Sequence, residues 1–221
     1  MDYILLIPPL LLAIILHESA HGWVALKLGD PTARDLGRIT LNPIPHIDLF
    51  GTILLPALLV LLNSSFLFGW AKPVPVDPTY FQNPKKGMLK VALAGPLTNL
   101  SLALFFGILF RILQYGGIHE GFLLLLKIIV IWGVVLNLVL AIFNLIPIPP
   151  LDGFKILKGL LSEKLAEGVA ILERYGFLLI LFLFIFGSPL LHLWVYPFVN
   201  LIAFLLTGES LATLLNMISL G

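Results

Sequence analysis

Long hydrophobic runs decide the solvent of this chain before any motif is considered. Crossing a hydrocarbon layer about 30 Å thick takes roughly 20 apolar residues in a helix. Runs of that order lie at about residues 3–28, 88–113, 121–146, 171–187 and 190–206, with a further apolar run at about 49–69. Only 11% of the residues are charged and 59% are hydrophobic, whereas a soluble domain carries roughly a quarter charged residues. The expected fold is therefore an all-α, multi-pass transmembrane protein with about five to six hydrophobic segments. We read it as one membrane domain over 1–221, with a core at about 3–160 and a C-terminal helical hairpin at about 171–206. Between the first two full spans, "RDLGRITLNPIPHID" alternates and is broken by Pro and Gly, and "KPVPV" reads as extended chain. Together with 49–69 they predict a re-entrant or short β region. Residues 154–174 keep amphipathic helical spacing suited to a membrane surface.

Several functions are excluded at this level. A formal net charge of +1 provides no basic field for nucleic acid, and the absence of cysteine removes disulfides, thiolate nucleophiles and Cys-type zinc sites. The N-terminal run lacks a basic flank and passes directly into a polar cluster, which argues against a cleaved signal peptide.

That cluster is "HESAH" at 17–21, inside the first apolar run. Ionisable groups at membrane depth are expensive and mark function by default. On a helix, His17 and His21 are four residues apart and share a face, so both imidazoles can hold one ion. Glu18 is offset by one residue, where its carboxylate reaches a water that a zinc ion would activate. With five His in the chain, a chance H-E-x-x-H is expected on the order of 0.003 times. A catalytic zinc site needs a third protein ligand. Asp152 in "NLIPIPPLDGFK" follows a long apolar run and stands among residues that force irregular backbone, which is tolerated at membrane depth only beside protein or a wet cavity. The alternative for Asp152 is a helix cap before Phe154. Glu120, Glu163 and Glu167 lie in polar or amphipathic context and are poorer candidates.

The motifs "HESAHGW", "LAGPLTN" and "FNLIPIPPLDGFKIL", in that order in separate apolar runs, resemble the site-2 proteases, the intramembrane zinc metalloproteases of peptidase family M50. "GRITLNPIPHID" and "FGWAKPVPV" resemble the compact form of that family, without a PDZ or other appended module. The resemblance covers about residues 10–160. It implies Zn2+ held by His17, His21 and Asp152, Glu18 as general base, and Asn144 facing the substrate carbonyl. It also implies a transmembrane protein substrate within a lipid bilayer.

Topology is constrained separately. Starting near Tyr3 and rising 1.5 Å per residue, the first helix reaches His17 about 21 Å in. For Asp152, beyond the 121–146 run, to meet it, those two helices run in the same direction with an odd number of crossings between them. If 49–69 does not cross, one side carries 11 of the 13 basic residues, including Lys27, Arg38, Lys86 and Lys155. The positive-inside rule makes that side cytoplasmic, which puts the N-terminus outside and the active site nearer the cytoplasmic face. His46 is a candidate near the metal or a loop residue. Val74 and Val76 are candidates for pairing with an unwound substrate strand. Asn99 is expected to bond between helices where Gly95 lets them approach. A rival reading is a membrane metal or proton transporter using the same His/Asp site, which leaves Glu18 without a role.

Overall fold

The computed structural model describes residues 3–62, 69–116, 121–186 and 188–219. Its helices are α1 (Tyr3–Lys27), α2 (Thr32–Asp35), α3 (Leu55–Leu61), α4 (Pro84–Tyr115), α5 (Phe122–Asn144), α6 (Asp152–Leu160), α7 (Glu163–Ala170), α8 (Gly176–Phe186), α9 (Ser188–Thr207) and α10 (Leu211–Ser219). Among the described residues there is no strand. The expected short β region is instead a π-helical turn, Leu49–Leu54, running into α3. Asp48 starts that turn by accepting from the Phe50 and Gly51 amides, a local cap that commits the chain to helix rather than strand.

The span count is also lower than five to six. Among the described residues three helices are long and apolar enough to cross a membrane, Ile4–Lys27, Pro84–Tyr115 and Phe122–Asn144. A fourth exists only if His192–Thr207 and Leu211–Ile218, bent by 76°, count as one broken span. The run at 171–187 begins as a 3-10 turn (Ile171–Tyr175) and leaves α8 only 11 residues. Apolar length sets an upper limit on a helix; it does not oblige the chain to use it. His119, Glu120 and part of the 49–69 run lie outside the described residues.

α1, α4 and α5 form the centre. At one end, Leu5 of α1 packs against the cluster that holds Phe110 and Leu113 of α4 and Ile128 of α5. At the other, Ala25 of α1 packs with Val91 of α4. Thus α1 and α5 run parallel and α4 runs against both. The passage between α1 and α4 starts and finishes at one end of this bundle, because the Asp30 carboxylate accepts from both the Thr32 amide (2.9 Å) and the Asp77 amide (2.7 Å). Within the passage, the Trp70 amide donates to the Gly51 carbonyl (3.1 Å). Gly51 is required there, since a Cβ would run into the Trp70 indole.

Candidate metal centre and active site

α1 carries His17 and His21 one turn apart, and their rings meet edge-on with centroids 4.8 Å apart. Asp152 arrives from the start of α6. Gly153 makes its approach possible, because a Cβ there would collide with the Leu145 and Ile146 carbonyls at the end of α5. One oxygen, Asp152 Oδ2, lies 3.2 Å from His17 Nε2 and 3.0 Å from His21 Nε2. All three side chains are buried. The capping alternative for Asp152 fails: Leu151 is the N-cap of α6, with no side-chain cap bond.

The outward nitrogens settle the tautomers. His21 Nδ1 is 2.7 Å from the Val91 carbonyl, which can only accept, so Nδ1 carries the proton. His17 Nδ1 is 2.5 Å from Asn99 Oδ1. The orientation of that amide is fixed, since Asn99 Nδ2 donates to the Ala13 carbonyl and to Asn137 Oδ1. Asn137 in turn donates to the Gly133 carbonyl (2.8 Å). Both Nε2 lone pairs of the neutral rings therefore point at a carboxylate oxygen. Electron-rich atoms in that arrangement call for a cation between them, and ligands around a tetrahedral zinc stand about 3.3 Å apart. Gly95 leaves the room: a Cβ there would lie 2.5 Å from His17 Nε2 and 2.6 Å from His21 Nε2. The donor set, its tautomers and this gap fit zinc. The other oxygen of Asp152, Oδ1, lies 3.1 Å from Lys155 Nζ, which leaves Oδ2 to face the two histidines.

Glu18 stands beside the triad. Its Oε2 accepts from the Val74 amide at 2.9 Å, which anchors one oxygen. His17, Glu18 and Asn144 line one cavity of about 530 Å³. Asn144 Nδ2 rests on the Leu140 carbonyl (3.0 Å) of its own helix. Val74 and Val76 turn toward the protein: Val74 fits over Gly22 of α1, and Val76 joins the Ala25 and Val91 cluster. His46 is buried, donates from Nε2 to the Thr40 carbonyl (3.1 Å), and lines a second, apolar chamber rather than the cavity of the triad.

The sequence reading placed Asn99 between helices but missed that it orients His17, and it passed over Asn137 altogether. The signal was present: a lone amide in "VVLNLVL" is as costly at membrane depth as the cluster in α1. Gly95 lets α4 approach α1 closely, and its missing side chain also opens the metal position.

A buried two-His, one-Asp centre with an adjacent glutamate, its histidines and glutamate carried on a bilayer-length helix, defines a membrane zinc metallopeptidase. The comparisons agree. Peptidase family M50 matches at residues 118–183. YwhC of Bacillus subtilis is 40% identical over 206 residues, covering 88% of this chain and 85% of its own. Rip2 of Mycobacterium tuberculosis is 30% identical over 199 residues, covering 88% and 71%; both are named as candidate zinc metalloproteases. Zinc metalloprotease MJ0392 of Methanocaldococcus jannaschii is 28% identical over 181 residues, 80% of this chain and 41% of its own. No solved structure matches. The chain belongs to peptidase family M50 and is a zinc metalloendopeptidase. Neither the family nor these relatives lend support to the transporter reading.

Proposed function

We propose that this metalloprotease hydrolyses peptide bonds in or near transmembrane segments of other membrane proteins. The observation that carries the reading is the position of Glu18 and the two histidines within α1, itself long and apolar enough to cross a bilayer. His17, His21 and Asp152 would hold zinc. Bound there, zinc supplies Lewis acidity that activates water and polarises the scissile carbonyl. Glu18, anchored through one oxygen by the Val74 amide, takes the proton from the attacking water and delivers it to the leaving amine. Asn144, turned away from the Leu140 carbonyl, offers its amide to the oxygen where negative charge develops. A helical substrate hides its carbonyls in its own hydrogen bonds, so it unwinds before attack. Backbone near Val74 and Val76 is the place for the unwound strand, and His46 supports the entry side from the adjoining chamber.

In this proposal the N-terminus is outside and the site opens nearer the cytoplasm, following the basic residues. Cysteines placed at Thr32 and Thr79 in intact cells should both resist an impermeant thiol reagent; external labelling of both would invert the orientation. The function itself is tested in liposomes with a panel of single-span proteins. Zinc-dependent cleavage that disappears in Glu18→Gln is expected, and no cleavage of any segment by zinc-loaded protein would sink the reading.

A further inference from the structure

The cavity that holds His17, Glu18 and Asn144 has one more charged group in its wall, Glu173. Glu173 belongs to the 3-10 turn leading into α8, and its Oε1 is 2.8 Å from Lys158 Nζ on α6, the helix that Asp152 begins. Both side chains are partly exposed. An ion pair of that kind contributes only about 0–1 kcal/mol, so a competing cation can replace Lys158 at little cost. The same cavity adjoins the second chamber, also about 530 Å³, with which it shares Ile14, Trp70, Leu140 and Phe143. That chamber is walled almost wholly by apolar groups. The two adjoining cavities therefore differ in lining, one almost wholly apolar and the other carrying the Glu173 carboxylate beside His17, Glu18 and Asn144.

We infer that Glu173 is a specificity-determining residue that receives a lysine or arginine flanking the apolar stretch of the substrate and so sets which bond reaches the metal centre. The inference rests on the reading of this protein as a protease of membrane-embedded segments. The chemistry suits such a substrate, because transmembrane segments are bordered on their cytoplasmic side by Lys and Arg. The apolar stretch occupies the chamber while the cationic side chain exchanges with Lys158 on Glu173. The two contacts fix opposite sides of the scissile bond.

The test uses one single-span substrate carrying Lys, Gln or Glu at the flanking position, with zinc-loaded protein in liposomes. The readout is the Lys-to-Glu ratio of kcat/KM taken within each variant, so that any general loss of activity cancels. The wild type should favour Lys over Glu by about fivefold, the scale of one partly exposed pair. Glu173→Gln should bring the ratio near one, Glu173→Lys should invert it, and Lys158→Gln should raise it. The same panel is titrated against Glu18→Gln protein to measure binding without turnover. A ratio unchanged by Glu173→Gln, or flank-independent binding, overturns the inference. Flank-dependent binding without cleavage by the wild type leaves the role of Glu173 standing and counts against the protease reading alone.

Discussion

The metal centre and the mouth of its cavity hold charge in opposite ways. At the centre, His17 is tied through Asn99 to Asn137 and on to the Gly133 carbonyl, with both amides fully buried. Each side-chain polar atom of the two amides has a partner inside the protein, Asn99 Nδ2 two of them, so removing a member leaves an unpaired group at a cost of about 1–3 kcal/mol. At the mouth, Lys158 and Glu173 meet within reach of water, where either can find other partners. The first arrangement suits a site that must hold one geometry, and the second suits a site that must exchange partners.

Removing a ligand is the most severe way to break the first arrangement. Wild-type protein should carry about one zinc per chain, as a single three-ligand site requires. His17→Ala, His21→Ala and Asp152→Ala should each lose most of it by elemental analysis, and full retention in Asp152→Ala would remove that residue from the ligand set. Glu18→Gln should keep its zinc while cleavage falls about 100-fold or more, the usual scale for a general base. Gly95→Ala changes no ligand, yet its methyl group would occupy the space between the imidazoles. It should depress zinc occupancy strongly, and wild-type occupancy would mean that the helices move apart easily.

Smaller changes sharpen the contrast. Asn137→Leu leaves the ligands and Asn99 in place but takes one of its two partners from Asn99 Nδ2. Zinc affinity, measured by chelator competition, should fall about tenfold, within the range for outer-shell partners. No change would show that Asn99 holds its orientation through the Ala13 carbonyl alone. Lys158→Ala should cost less than about 1 kcal/mol in unfolding stability and leave zinc content intact. A larger loss would move the mouth pair into the same rigid class as the centre.

Much of the site was legible because its first element is local. The four-residue spacing of His17 and His21 follows from helical periodicity, and Glu18 takes its place from the same geometry. Bilayer-length apolar runs announced the solvent, and the proline-flanked Asp152 was conspicuous against them. The number of spans was not legible, because 49–69 and 171–187 are as apolar as true spans over much of their length. Asp48 capping a π-helical turn and the closure of Trp70 on Gly51 decided the first, and the 3-10 turn at Ile171–Tyr175 shortened the second. Likewise, composition could not tell that Val74 supports Glu18 through its backbone while its side chain faces α1.

By itself, then, the sequence determined a membrane protein with a zinc-type pair of histidines and a base on one helical face, since periodicity and hydrophobicity act over a few residues. Tertiary structure alone decided that Asp152 meets His17 across 135 positions, that Asn99 meets it across 82, and that both rings keep their protons on Nδ1. Those contacts depend on α1 and α5 running parallel with α4 between them in the chain and antiparallel to both. A helix register repeats every few residues, but the packing of distant helices is set by the whole molecule at once.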